Sequence, residues 1–151
     1  MNAPVARFQP QDPQFATRVR ASFGRQRAMA LIGASLIVVE PGYVEISLPF
    51  RDELTQQKGY VHGGILGMIG DSACGYSAFS LMPADCSLVT VEYKINILNP
   101  AVGALLAKGE VVKPGRSLTV TRGEVYAADG THVASMQQTL LMLAGAPDAP
   151  A

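Results

Sequence analysis

The stretch VHGGILGMIGDSACGYSAF, residues 61–79, decides the fold of this chain. It is apolar enough to form a buried helix, yet five glycines interrupt it and Asp71 lies in its middle. A glycine inside a helix costs about 1 kcal/mol relative to alanine, and a carboxylate is rarely buried without a partner. We therefore expect close packing against Gly67, Gly70 and Gly75, and a chemical role for Asp71.

Periodicity predicts the elements on either side of this helix. Apolar residues at near-helical spacing predict a helix over 14–32, and an apolar run at 36–39 and the alternation over 44–50 predict two strands joined by a turn at 40–42. Four further strands follow the central helix, and their ranges are 89–97, 104–112, 117–127 and 131–143. In the first of these, Val89 to Ile97 alternate strictly, which predicts one buried face.

These elements indicate an α+β fold in which a curved antiparallel sheet wraps a long central helix, with an additional N-terminal helix. We expect a flexible arm over 1–13, a single domain over 14–143 and a flexible tail over 144–151. The central helix is too apolar for a lone domain of 15.9 kDa to cover easily. This favours an oligomer.

Composition excludes several classes of protein. Twelve basic and twelve acidic residues cancel, so no charge excess indicates binding to nucleic acid or to an anionic membrane. The N-terminal residues lack an apolar signal core and no run is long enough to span a membrane, so we expect a cytoplasmic location. The spacing of Cys74 and Cys86 matches no metal or redox motif, which predicts free thiols.

Gly63 and Asp71 together indicate a reaction at a carbonyl group. The first N–H groups of a helix lack intrahelical partners, and the Gly63-Gly64 step lets a ligand oxygen approach them, as an oxyanion requires. Asp71 supplies a nucleophile or general base. The two residues are eight positions apart, so one helix separates them by roughly 12 Å. One substrate can contact both only if they come from two chains, which predicts a dimer with two shared sites.

Several motifs together resemble the hotdog-fold acyl-CoA thioesterases, in particular the phenylacetate-degradation (PaaI-like) branch. They are Gln56, the His62-Gly63-Gly64 sequence with an acid nine positions after the histidine, LVTVEYKINILNPA (88–101) and VVKPGRSL (111–118). The resemblance implies a central helix wrapped by a sheet, dimers that pair into tetramers, an acyl-CoA substrate, and no metal or redox cofactor. Coenzyme A enters only as part of the substrate.

The resemblance also implies roles for individual residues. Gly63 offers its backbone N–H to the thioester oxygen, and Asp71 of the partner chain attacks the carbonyl or activates water. Gln56 helps to position the water or the carboxylate. Because Gln57 is its neighbour, the family's amide residue could be either of the two glutamines. Thr90 falls near the position of a Ser or Thr in some members of the family, and it is the loosest of these matches.

Two further groups of residues are candidates for substrate binding. Arg116 and Ser117 match a segment that contacts the nucleotide end of coenzyme A. Tyr76, Phe79 and Met82 are expected to form walls of the acyl pocket. Gly64, next to Gly63 at the start of the helix, is also a candidate for substrate binding.

Alternatives remain open at this point. His62 is either a catalytic base or a structural residue, and a Cys74 nucleophile would need His62 from a second chain. His132 is expected at the surface. The chain could instead be a hydratase or dehydratase acting on an enoyl or hydroxyacyl thioester through a His–acid pair, or a non-catalytic acyl-CoA-binding domain.

Overall fold

The computed structural model describes residues 7–149, and there a six-stranded antiparallel sheet accompanies one long helix. The helices are α1 (Phe15–Gly24), α2 (Arg27–Ile32) and α3 (Gly63–Phe79), and the strands are β1 (Ser35–Glu40), β2 (Tyr43–Leu48), β3 (Cys86–Ile97), β4 (Leu105–Lys113), β5 (Leu118–Ala127) and β6 (His132–Ala144). The strand order is β1-β2-β4-β5-β6-β3. The predicted α+β architecture, a central helix wrapped by a curved sheet, is confirmed. None of the helices in this part of the chain has the length and apolar character needed to cross a membrane.

The N-terminal helical region differs from the single helix predicted over 14–32. It forms α1 and α2, which are separated at Arg25 and Gln26. Gly24 weakens the helix at this point, and Gln26 adopts an extended conformation with ψ of 95°. The break allows the Gln26 side chain to accept a hydrogen bond from Ser72 of α3 at 3.3 Å. A tertiary contact therefore accompanies the interruption of the helix at Arg25 and Gln26.

Arg18 attaches α1 to the end of α3. Its guanidinium group donates to the carbonyl oxygens of Phe79 (3.2 Å) and Met82 (2.6 Å), and it lies over the Phe79 ring at 4.3 Å. Asp12 pairs with Arg18 at 3.0 Å and is itself buried. The predicted loose arm is therefore anchored at Asp12, while its residues 1–6 lie outside the described residues.

The closest approach between helix and sheet occurs at two glycines of the sheet. Gly109 of β4 and Gly123 of β5 are register partners. A Cβ atom at Gly109 would overlap the backbone carbonyl group of Ala73, and one at Gly123 would lie 2.9 Å from Cys74 Sγ. The backbone of α3 can therefore contact the sheet at Gly109 only because this position carries no side chain, and Gly123 leaves room for the side chain of Cys74.

The packing prediction for the helix glycines is partly confirmed. A Cβ atom at Gly67 would lie 3.0 Å from the Tyr93 hydroxyl oxygen, and one at Gly70 would overlap Met136 Sδ. At Gly75 the nearest atoms are 3.8 Å away, which is an ordinary contact. The packing explanation is therefore wrong for Gly75.

β3 departs from the strict alternation that the sequence predicts. Its register with β6 shifts between Thr90 and Glu92, so Val91 is an extra residue that forms a β-bulge. Thr90 faces α3 before the bulge, and Tyr93 and Ile97 contact α3 after it. The prediction of one buried face over 89–97 is therefore wrong. The bulge at Val91 reverses which alternate residues of the strand face α3.

Part of the exposed apolar surface lies on β3, at one edge of the sheet. Most of α3 is buried within the chain, so the apolar character of α3 is not what favours an oligomer. About half of each of four side chains on β3 is exposed instead, those of Val89, Val91, Tyr93 and Ile97. An apolar edge strand with free backbone groups is a surface that pairs readily with another strand.

Candidate active site

Asp71 lines a cavity of about 210 Å³ that lies between α1, α3 and the first half of β3; we name it the Asp71 cavity. Its carboxylate is held by hydrogen bonds. Thr90 Oγ1 donates to Asp71 Oδ1 at 2.7 Å, and Gln138 Nε2 donates to the same oxygen at 2.7 Å. Gln138 Nε2 also lies 3.0 Å from Thr90 Oγ1. Three side chains from α3, β3 and β6 therefore form one network.

This network leaves one carboxylate oxygen available. Both side-chain hydrogen bonds reach Oδ1, and within residues 7–149 no side chain donates to Oδ2. Asp71 is partly exposed to the cavity, whereas Gln138 is fully buried. The carboxylate is therefore fixed in orientation through Oδ1, and Oδ2 can contact a water molecule or a carbonyl carbon.

Gln138 is a site residue that the sequence analysis missed. The residues of β6 that face the helix are otherwise apolar and follow a period of two, as Met136 and Leu140 show. A glutamine that interrupts such a row must find polar partners when it is buried. That interruption is a signal in the sequence, although the partners of the glutamine can be identified only from the structure.

A second cavity, of about 340 Å³, lies at the start of α3; we name it the Gly63 cavity. Gln56 and Gly63 line it, together with Ile97 and the loop that follows β3. The Gly63 N–H has no acceptor among residues 7–149, and the helix dipole adds partial positive charge there. Gln57 is exposed and does not line this cavity, so the structure places Gln56 beside Gly63.

The two cavities have no described residue in common. Gly63 and Asp71 therefore belong to different cavities of one chain, in agreement with the separation of roughly 12 Å along the helix. A single thioester carbonyl group cannot contact both within one protomer.

His62 caps α3. Its Nδ1 atom accepts the Gly64 N–H at 2.9 Å, and its backbone is extended, as is usual for an N-cap residue. The Gly64 N–H is thereby occupied, and neither residue lines the Gly63 cavity. Of the two glycines at the helix start, Gly63 is the one whose N–H can bind a ligand oxygen.

The wall of the Asp71 cavity is partly aromatic and partly polar. Tyr76 and Phe79 line it, as predicted, whereas Met82 does not. Ser22 and Gln26 also line it, and the Ser22 hydroxyl lies 3.1 Å from the Tyr76 hydroxyl. Burial raises the pKa of Tyr76, so the phenol is neutral at physiological pH. The sequence analysis missed Ser22 and Gln26, which lie in the N-terminal helical region.

Arg116 and Ser117 lie away from both cavities. They are exposed in the turn between β4 and β5, where the Ser117 carbonyl accepts the Met142 N–H at 2.8 Å. The turn is therefore attached to β6 through its backbone, and the Arg116 side chain is exposed to solvent.

The remaining nucleophile and base candidates are not placed for catalysis. Cys74 is buried, and burial raises the pKa of its thiol to about 12, so the thiolate is not available at neutral pH. His132 Nε2 lies 2.6 Å from Glu124 Oε2, and the ring stacks on Tyr126. Both cysteines are free. Within residues 7–149 no group of three or more His, Cys, Asp or Glu side chains could hold a metal ion.

Comparison with known proteins identifies the family. Residues 58–134, which include Gly63, Asp71 and Thr90, match the family described as the thioesterase superfamily. The chain belongs to the thioesterase superfamily. A solved structure of a thioesterase family protein from Silicibacter pomeroyi is 47% identical to this thioesterase-family chain, with a TM-score of 0.84, and the match covers 87% of this chain and 99% of that one.

Two further proteins extend the comparison. A Saccharolobus solfataricus protein provisionally named an esterase is 32% identical over 66% of this chain and 71% of its own length. The Escherichia coli PaaI protein of the phenylacetic acid degradation operon is 18% identical, with a TM-score of 0.82, over 90% of this chain and 98% of that one. The second likeness shows that the two proteins share the hotdog fold.

Proposed function

We propose that this protein hydrolyses an acyl-CoA thioester to the free acid and coenzyme A. Water supplies the hydroxyl group that bonds to the acyl carbon, and the carbon–sulfur bond breaks as the sulfur takes up a proton. Asp71 of one protomer and the Gly63 N–H of its partner act on one thioester. The observation that carries this proposal is the Asp71 carboxylate, which lines a cavity, is held through Oδ1 and receives no side-chain hydrogen bond at Oδ2 from residues 7–149.

The chemistry follows from the placement of these groups. Asp71 Oδ2 either attacks the thioester carbon, giving an anhydride that water then hydrolyses, or removes a proton from the attacking water. The Gly63 N–H donates to the carbonyl oxygen, which becomes negative in the transition state. Gln56 lies with Gly63, so it would reach the water or the carboxylate from the partner chain.

The edge strand β3 supports a shared site. Thr90, near the start of the strand, contacts Asp71, and Ile97, at its end, lies beside Gly63. If two copies pair antiparallel along this edge, the end of one β3 lies opposite the start of the other. This pairing would bring Gly63 of one protomer towards Asp71 of its partner, and it would cover exposed apolar side chains of the strand.

No observation favours a hydratase or dehydratase. Such an enzyme would need a histidine paired with an acid at the thioester, and the chain has two histidines. His62 caps α3, and His132 is bound to Glu124 and lines neither cavity.

The test of the function is the release of free coenzyme A from a series of aliphatic and aryl acyl-CoA substrates. A hydratase or a non-catalytic binding domain releases none. We expect the Asp71→Asn variant to lose at least about 100-fold in kcat with its fold and oligomeric state intact. A kcat within a few-fold of wild type would mean that Asp71 is only a structural acid.

The test of the shared site uses mixed dimers. Gly63→Val places a branched side chain at the oxyanion position and should abolish activity. A dimer of one Asp71→Asn chain and one Gly63→Val chain retains one intact pair, so about half of the wild-type activity is expected. The control carries both changes in one chain and pairs it with a wild-type chain, which breaks both shared sites and should be inactive.

The two mixed dimers give opposite results if each chain holds its own complete site. In that case the first dimer is inactive and the control is half active. Light scattering gives an independent check, because a monomer that is active at micromolar concentration contradicts the shared site.

A further inference from the structure

The segment after β6 is held against α1. Gly145 has a φ of +67°, a left-handed conformation that lets the chain turn away from the sheet. The Arg25 guanidinium group donates to the Asp148 carbonyl oxygen and pairs with Asp148 Oδ2 at 2.8 Å. The expected flexible tail therefore has a defined attachment at Asp148, whose side chain is about two thirds buried (32% exposed).

This attachment places a carboxylate in the wall of the Asp71 cavity. Asp148 lines the cavity together with Ser22, Gln26 and Tyr76. Among the described lining residues, Asp71 and Asp148 are the acidic ones, and none is basic. Burial is the largest cause of the raised pKa of Tyr76; the Asp148 carboxylate raises this pKa further, and its ion-pair partner Arg25 lowers it. Because Asp71 and Asp148 line the cavity and Arg25 does not, the cavity is unfavourable for a further negative charge.

We propose that Asp148 is a specificity-determining residue that excludes acyl groups ending in a carboxylate, and that Arg25 is the positioning residue that holds it. The inference rests on the proposed thioesterase function, since the thioester carbon must lie beside Asp71. The rest of the acyl group then extends along the wall that contains Asp148. A terminal carboxylate would be repelled there, whereas an uncharged acyl end would not.

The experiment compares hexanoyl-CoA with adipyl-CoA, whose acyl chains have the same length and differ in a terminal carboxylate. The measured quantity is the ratio of kcat/KM for hexanoyl-CoA to that for adipyl-CoA. We expect Asp148→Asn to lower this ratio at least about tenfold, because the repulsion is lost and the Arg25 charge becomes available to the substrate. The double variant Arg25→Gln/Asp148→Asn should lower the ratio less, since it offers no cation.

The matched control is Asp129→Asn, which removes the same charge from the turn between β5 and β6, outside the cavity. It should leave the ratio unchanged. An unchanged ratio in Asp148→Asn overturns the inference, even when both thioesters are hydrolysed. If the wild-type protein hydrolyses neither of these thioesters nor any other of the aliphatic and aryl series, the proposed function fails instead. Dissociation constants of the two thioesters, compared between Asp71→Asn and Asp71→Asn/Asp148→Asn, then test the exclusion without turnover.

Discussion

Thr90 Oγ1 donates a hydrogen bond to Asp71 Oδ1 at 2.7 Å, and the bulge at Val91 makes this contact possible. Without the extra residue, the alternation of β3 would direct either Thr90 or Tyr93 away from α3, because neighbouring side chains of a strand point to opposite faces. The bulge allows Thr90 to face Asp71 while Tyr93 still packs against Gly67.

The first prediction concerns this hydrogen bond. Thr90→Val keeps the shape of the side chain and removes the donor, while Gln138 still holds Asp71. A hydrogen bond to a charged group contributes about 1.5 kcal/mol or more, so we expect kcat to fall about tenfold with KM little changed. Steady-state kinetics measure both. Thr139→Val on the opposite face of the sheet, where Thr139 donates to Glu92, is the control and should leave kcat unchanged. Equal kcat values for both variants would contradict a positioning role.

The second prediction separates activity from stability at Gln138. Gln138 Nε2 holds Asp71, but Gln138 Oε1 is buried and has no partner among residues 7–149. In Gln138→Met, the loss of the hydrogen bond to Asp71 costs about 1–3 kcal/mol, and the removal of the buried unpartnered oxygen relieves a cost of similar size. We therefore expect a melting temperature within about 4 °C of wild type, and kcat reduced about tenfold or more.

The control for this change is Gln137→Met, since the Gln137 side chain is exposed on the same strand. Gln137→Met should alter neither the melting temperature nor kcat. A large fall in the melting temperature of Gln138→Met at unchanged kcat would show that Gln138 only supports the core.

The third prediction compares two glycines in their effect on stability. Gly109→Ala forces a Cβ atom into the backbone of Ala73, so the free energy of unfolding should fall by about 1–3 kcal/mol or more. Gly75→Ala meets only ordinary contacts and removes a glycine from a helix interior, so it should raise the free energy of unfolding by up to about 1 kcal/mol. Denaturant titration measures both. Similar stability for the two variants would mean that the helix can move away from the sheet at little cost.

The fourth prediction concerns the turn between β4 and β5. We propose that Arg116 and Ser117 contact the nucleotide end of coenzyme A. Arg116→Ala should then raise KM for CoA thioesters by about 10- to 150-fold, which corresponds to a charge-assisted contact of about 1.5–3 kcal/mol, with kcat little changed. A thioester that lacks the nucleotide serves as the control substrate and should be hydrolysed equally well by both proteins. Equal losses on both substrates would assign the turn a structural role.

Most of the elements and the class of fold could be predicted from the sequence alone, whereas the division of the N-terminal helix could not. The central helix, the six strands and the turn at 40–42 follow from periodicity and turn residues, which act over a few neighbouring positions. Gly63 and Asp71 could be chosen as candidate site residues from the sequence, and their eight-residue spacing on one helix predicts their separation.

The tertiary structure alone decided how the site is completed. Gln138 and Asp71 are 67 positions apart and meet only because β6 pairs with β3 in one particular register. Asp148 reaches the cavity through an ion pair with Arg25, which is 123 positions away. The physical reason is that strand register, the bulge at Val91 and the course of the last residues depend on packing between distant segments, whereas periodicity reports only on near neighbours.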